Sequence, residues 1–264
     1  MSDKKKESIL RTLLVALVVS LVASVFVAGS AIYLKPTQQA NSLLDKQRSI
    51  LSIAGIGNPE LSSREVQELF ASRIKARVID LTTGEEKTDL DPAVFDPLKA
   101  ARDPKTSIAL SGEEDIAKVI RREQFTTIYL LETDGLIEAL ILPVRGYGLW
   151  STLYGFLALK TGDLNTVVGF GFYQHGETPG MGGEVDNPRW KALWPGKTVF
   201  DEAGKPVIQI IKGGVNPANP AVGHQVDALS GATLTSRGVE RLLLFWLGDK
   251  GFGPYLAKLR QQGV

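Results

Sequence analysis

The chain has 264 residues, 44% hydrophobic and 22% charged, with a formal net charge of +1. That balance leaves room for a substantial core, and with Lys and Arg spread along the chain there is no basic, aromatic-interleaved patch to bind nucleic acid. There is no cysteine, which excludes disulfides, thiolate zinc sites, iron–sulfur ligation and a Cys nucleophile within the chain, so redox chemistry here requires a non-thiol cofactor.

Thr12 to Leu34 carries no charged residue and is mostly Leu, Val and Ala. As a helix these residues extend ~35 Å, enough to cross a hydrocarbon core of ~30 Å. Lys4, Lys5, Lys6 and Arg11 precede the run, while Lys35 and Pro36 close it and Tyr33 stands at the expected interface. The excess of positive charge before the span predicts a cytoplasmic N-terminus. A cleavable signal peptide with a small-residue site near Ala28 to Ala31 is the alternative, but the apolar run is longer than the usual ~7–15 residues. The expected organisation is a cytoplasmic tail over 1–11, one membrane helix over 12–34 and a periplasmic domain over 35–264.

Beyond the anchor, Ala40 to Ala54 places Leu43, Leu44, Ile50, Leu51 and Ala54 on one face of an amphipathic helix. Ser62 to Glu65 reads as a capping box ahead of a helix with Val66, Leu69, Phe70 and Ile74 as its apolar stripe. Arg77 to Leu81 is a predicted strand, Asp89 to Thr106 an irregular stretch broken by three prolines, and Ile116 to Glu123 a predicted helix. Three hairpins follow: 125–131 with 136–144, 153–160 with 167–173, and 199–200 with 207–211. Their turns carry Asp and Gly and their strands Val, Ile and aromatics. Ser236 to Leu247 is the last predicted helix. Helices, then a meander, then a helix predict an α+β fold: an antiparallel sheet with flanking helices, preceded by one transmembrane helix.

The stretch Asp227-Ala-Leu-Ser-Gly-Ala-Thr233 carries the chemistry. Small residues opening a helix let backbone N–H groups close around an anion, and the helix dipole favours the same charge. Ser230, Gly231 and Ala232 form that turn, and Thr233 puts a hydroxyl inside it. Three other segments suit a flavin: Gly146 to Ser151, His175 to Glu184 and Lys212 to Gly214. A flavin needs a flat apolar slot, polar groups at its ring edge and an anchor for its phosphate. Trp150, Leu149 and Met181 are candidates for the slot, Glu177 and Thr178 for the ring edge or ribityl chain, and Lys212 for phosphate charge. Ser151, Gly182 and Thr235 complete the candidate set. Trp190 and Trp194 read as buried residues under the loop. His175 with Glu177 and Glu184 is weak as a metal cluster, and the two histidines offer no compelling Ser–His–Asp order.

The motif at 227–233 resembles the flavinylation sequence of proteins that carry FMN through a phosphoester to threonine. Together with Gly-Tyr-Gly-Leu-Trp-Ser at 146–151, Gly-Glu-Thr-Pro-Gly-Met-Gly-Gly-Glu at 176–184 and Ser-Gly-Ala-Thr-Leu-Thr-Ser at 230–236, it makes nearly the whole chain similar to the C subunit of the Na+-translocating NADH:quinone reductase. The G subunit of the Rnf electron-transport complex is a near but shorter relative with a different loop at 146–151, and a membrane-anchored flavin-binding sensory module is a reading from another class. The resemblance implies a covalent FMN on Thr233, attached by a flavin transferase with FAD as donor. It implies a bacterial inner-membrane complex that oxidises NADH, reduces ubiquinone and moves sodium, in which this protein relays electrons among other subunits. Asp227 then either assists the transferase or holds the turn as a local acceptor.

Overall fold

The computed structural model describes residues 9–263. Lys4, Lys5 and Lys6 of the predicted tail lie outside the described residues. The chain divides into two units, Met1–Asp45 and Lys46–Val264.

The first unit contains most of helix α1, Ile9–Ile53, which is long and apolar enough to cross a membrane. Its apolar side chains, Leu13 to Leu34, are exposed to the surroundings. Within the apolar run the Ser24 hydroxyl donates to the Ser20 carbonyl at 2.7 Å and the Ser30 hydroxyl to the Val27 carbonyl at 3.0 Å, so both of these donors are satisfied by the backbone. The sequence expectation that Lys35 and Pro36 end the helix is corrected: Pro36 lies inside it. Proline removes one backbone hydrogen bond to residue 32, near the edge of the apolar run where water can replace it. The separate amphipathic helix expected over 40–54 is the continuation of α1, because neither glycine nor proline interrupts the chain between Pro36 and Gly55, which has φ +79°.

The second unit begins with the last turns of α1, where Ile50, Leu51 and Ile53 are buried. Helix α2, Ser63–Arg73, starts on the predicted capping box: the Ser62 hydroxyl accepts from Glu65 N, and the Glu65 carboxylate accepts from Ser62 N at 2.8 Å. Strand β1 is Ile74–Asp80, so Ile74 belongs to the strand rather than to the helix stripe. Helix α3, Pro97–Arg102, lies within the expected irregular stretch, capped by Asp96 with Pro97 in its first turn. Short β2, Ser107–Ala109, pairs with β3, Arg121–Glu123.

This pairing overturns the helix expected over 116–123. The Asp115 carboxylate accepts from the N–H groups of Val119 at 2.7 Å and Ile120 at 2.6 Å, closing a tight turn. Beyond it the chain runs extended, so that Glu123 points into the interior.

The main sheet then follows as predicted: β4, Phe125–Thr133, β5, Leu136–Tyr147, β6, Thr152–Lys160, and β7, Val167–Gln174. With β1 at the edge, the order is β1-β4-β5-β6-β7, antiparallel throughout. Helix α4, Pro188–Lys191, leads to β8, Gln209–Ile211, and β9, Gln225–Asp227. Helices α5, Thr233–Leu247, and α6, Gly253–Gln262, complete the unit.

The hairpin expected over 199–211 is corrected to an isolated antiparallel bridge, Phe200 to Pro206, while β8 pairs in parallel with β9. Parallel neighbours need a long crossover, which the thirteen residues 212–224 provide.

Helix α5 lies across one face of the sheet. Val239, Leu242, Leu243 and Trp246 share a buried cluster with Leu140, Leu142, Val144, Leu153 and Leu157. The Trp246 indole N–H donates to the Arg145 carbonyl at 2.6 Å, tying helix to strand. Both faces of β4 are covered, so its residues are buried without a break from Thr126 to Leu131. Arg145 and Glu123 meet in the interior: guanidinium nitrogens lie 2.8 and 2.6 Å from the two carboxylate oxygens. Among the ion pairs of the described residues this is the one whose two side chains are both deeply buried.

Candidate functional site

Helix α5 starts at Thr233 behind an N-cap, Ala232, that has no side chain to accept a hydrogen bond. The N–H groups of Thr233, Leu234 and Thr235 donate to no protein acceptor among the described hydrogen bonds. A helix of this length leaves its first donors open at the positive end of its dipole. Just before it, Gly231 holds φ +73° with open space where a Cβ would stand. A side chain there is strained, and the glycine lets the loop turn into the helix with its amides facing outward.

The hydroxyls of the motif divide sharply. Thr235 is fully buried and donates to Glu177 Oε2 at 2.7 Å. Ser236 is buried, donates to the Ala232 carbonyl at 3.0 Å and accepts from Leu229 N at 3.1 Å. Both are consumed in building the turn. Ser230 is exposed and Thr233 half-buried, and neither hydroxyl has a protein partner among the described hydrogen bonds. Thr233 is the one of these two that sits on the helix itself.

Glu177 is the centre of a second arrangement. Its carboxylate accepts from the consecutive N–H groups of Leu149 at 3.1 Å, Trp150 at 3.0 Å and Ser151 at 3.1 Å, and from the Ser151 hydroxyl at 3.2 Å, besides Thr235. Burial would raise the carboxyl pKa, but the Thr235 and backbone hydrogen bonds outweigh it and hold the group below its ordinary range. A buried anion thus pins the 148–151 loop to the start of α5. Ser151 extends the link by accepting from Gly176 N at 2.7 Å. Gly148 and Gly182 make room for it: a Cβ on either would fall 2.7 Å from a Glu177 oxygen, and on Gly182 also 2.6 Å from Thr235 Oγ1. Gly182 therefore serves close approach within the protein. The expectation that Glu177 meets the ring edge is replaced by this internal role, because both carboxylate oxygens are already occupied.

The loop tips point outward. Trp150 is 68% exposed and Met181 48%, with Leu234 at 53% beside Thr233. Thr178 is exposed, and its carbonyl accepts from Met181 N and Gly183 N. Asp227 neither caps locally nor faces out: its Oδ1 accepts from Val215 N at 2.6 Å, twelve residues back. That bond closes the crossover loop. The parallel register pairs Ile211 with Asp227 and continues as Ala228 N to the Ile211 carbonyl, which brings Lys212 alongside Ala228, two residues before Ser230. Lys212 is exposed there.

Trp190 and Trp194 are buried, and Trp190 donates to the Asp227 carbonyl at 2.8 Å, fixing the floor of the motif. His175 Nδ1 accepts from Glu177 N at 3.2 Å and its Nε2 faces Asp186 at 2.7 Å, while Glu184 accepts from Asn187. These side chains shape the 175–187 loop. Sequence reasoning singled out Glu177 and Thr235 separately but not the contact between them. Its one trace was a glutamate among glycines, a residue type that such a loop buries only when several donors surround it.

The FMN-binding domain family matches residues 148–248, which spans the pinned loop, the parallel pair and α5. The C subunit of the Na(+)-translocating NADH-quinone reductase of Pseudomonas aeruginosa is 66% identical over 256 residues, covering 97% of this chain and 98% of its own length. The protein of the same name from Yersinia pestis is 51% identical over 263 residues, with 98% and 97% covered. Among solved structures, NqrC of Shewanella oneidensis superposes with a TM-score of 0.76 at 37% identity, covering 85% of this chain and 99% of that one. The corresponding protein of Parabacteroides distasonis superposes with a TM-score of 0.65 at 27% identity, covering 84% and 96%. The chain belongs to the family of the C subunit of the Na(+)-translocating NADH-quinone reductase, one component of an oxidoreductase complex.

Proposed function

We propose that this protein carries FMN as a phosphoester on Thr233 and relays electrons between neighbouring redox centres of the complex. The observation that carries this reading is the division of hydroxyls at α5: Thr235 and Ser236 are spent on the protein, while Thr233 stands uncommitted at an uncapped helix start. The site fits the group. Three free N–H groups and the helix dipole suit a phosphodiester anion, the left-handed Gly231 leaves space above them, and Lys212 stands nearby with a positive charge. Flavin bound there supplies one- and two-electron redox chemistry that no side chain of this cysteine-free chain provides.

Thr233 would be the residue that holds the group: its hydroxyl would take the place of AMP on the FMN phosphorus of FAD, supplied by a flavin transferase, with the hydroxyl proton passing to the departing AMP or to solvent. Afterwards the chain's own residues hold the site. Glu177 keeps the 148–151 loop against α5, and Trp150 and Met181 offer apolar surface at the rim. In the cell, the positive-inside pattern supports a single-pass anchor in the bacterial inner membrane with the second unit in the periplasm. The complex then oxidises NADH, reduces ubiquinone and translocates sodium.

The test is Thr233→Ala in a strain that makes the transferase. Covalent flavin fluorescence on the denaturing gel disappears while the melting temperature stays within the small range of a surface substitution, a change of about 0.5 kcal/mol. Fluorescence persisting in that band refutes the assignment.

A further inference from the structure

A cleft opens beside the same helix start, walled by Tyr147 at the end of β5, Leu149 of the pinned loop and Leu234 of α5. Lys118, Arg237 and Arg241 line it, and no acidic residue does. All three cations are exposed, and none forms an ion pair among the described residues. Positions 234, 237 and 241 share one face of α5, and Arg237 stands one turn from Thr233 on that side.

The loop that carries Lys118 is strained. Lys118 has φ +54° and Ile120 φ +66°, left-handed values that side chains rarely adopt, least of all a β-branched one. Asp115 imposes them by taking the Val119 and Ile120 N–H groups. Each such residue costs about 1–3 kcal/mol, and strain of this kind concentrates where a surface has a task. Here it sets Lys118 at the cleft, its ammonium 5.9 Å from the Tyr147 ring centre, and leaves Ile120 74% exposed.

We propose that this cleft is the docking surface for an acidic patch on another member of the same redox complex, seated next to the flavin-bearing Thr233; the proposal rests on the assignment of flavin to that residue. Charge complementarity selects the occupant. A phosphodiester on Thr233 carries one negative charge, and Arg241 lies eight residues along the helix, about 12 Å away. Three cations lining one cleft with Leu149, Leu234 and Tyr147 match an extended surface with anionic and apolar groups. Attraction of this kind orients two redox proteins and falls with ionic strength.

The experiment uses the intact complex, made with its transferase, in wild type and in K118E/R237E/R241E. Docking through this cleft lowers NADH-driven quinone reduction by about tenfold or more, while flavin fluorescence of this protein is unchanged. Loss of the variant from a complex whose membranes still hold it, with wild-type melting temperature and flavin content, also supports docking. The neutral R237Q/R241Q pair gives a smaller loss of the same sign, and guards against a charge reversal that unfolds the protein. Full turnover with flavin intact overturns the proposal. So does loss of flavin from the variant, which would assign the cations to the FMN phosphate. Absence of flavin from the wild-type protein instead refutes the Thr233 reading beneath it.

Discussion

The two ends of helix α5 have opposite constructions. Its second half is locked: Phe245, Trp246 and Leu247 are buried, and the Trp246 indole bonds to the strand carrying Arg145. Its first turn is open, with no capping side chain, three free N–H groups and an exposed serine and glycine before it. Elsewhere in the unit Ser62, Asp96 and Asn187 cap their helices with side-chain oxygens. Replacing such a cap by alanine typically costs about 1 kcal/mol, so Ala232 leaves α5 less stable than its sequence could make it. The contrast separates what holds the fold from what serves the site. One end anchors the helix to the sheet, and the other leaves its first N–H donors without a protein acceptor among the described hydrogen bonds.

The largest effect is expected at the locked end. Glu123→Ala leaves Arg145 buried without its partner and destabilises the second unit by about 3–5 kcal/mol in a denaturant titration. Flavin attachment per folded molecule is retained. An unchanged denaturation midpoint would show that the buried pair is not what fixes this end.

Glu177 holds the loop against the open end of the helix, and a smaller effect is expected there. Glu177→Gln replaces an acceptor-only carboxylate by an amide whose NH2 faces the donors of Leu149, Trp150 and Ser151, a loss of about 1–3 kcal/mol. Its folded pKa lies below the ordinary 4.5. The stability it contributes is therefore complete above pH 4.5 and is lost as the pH falls through the lower folded value. The acid limb of the wild-type stability profile is steeper than that of the variant. Superimposable profiles would show that the ionised carboxylate does not hold the loop.

The smallest stability effect is expected at the rim. Trp150 is mostly exposed, so Trp150→Ala changes stability by about 0.5 kcal/mol or less. The flavin absorption maximum or reduction potential shifts nonetheless, because the ring surface beside the site is lost. A large stability loss with an unaltered flavin would make Trp150 a structural residue.

Much of this molecule was legible in the chain because local physics decided it. The capping box at Ser62, the strands over 125–131, 136–144, 153–160 and 167–173 and the small-residue turn before Thr233 each carry their signal within a few residues. The errors lie where distant partners decide. Residues 116–123 have a helical pattern, but Asp115 closes a turn there and the interior draws Glu123 toward Arg145, twenty-two positions on. Residues 209–211 have a strand pattern, but their partner is Gln225–Asp227 across a long crossover rather than the strand just before. Helix α6 carried a local sign, Gly253-Pro254 ahead of Leu256 and Leu259, which sequence reading passed over. At the candidate site, the small-residue turn before Thr233 and the Gly-rich loops stood out by residue type and spacing. The Glu177–Thr235 bond joins residues fifty-eight apart, and no periodicity reports such a contact.

The central claim is most directly tested by the mass of the proteolytic peptide containing Thr233, taken from the complex as purified with its transferase present. The expected peptide is heavier by one FMN less one water, with fragmentation placing the addition on Thr233 rather than on Ser230, Thr235 or Ser236. An unmodified peptide, or the addition on one of the other three hydroxyls, contradicts the claim.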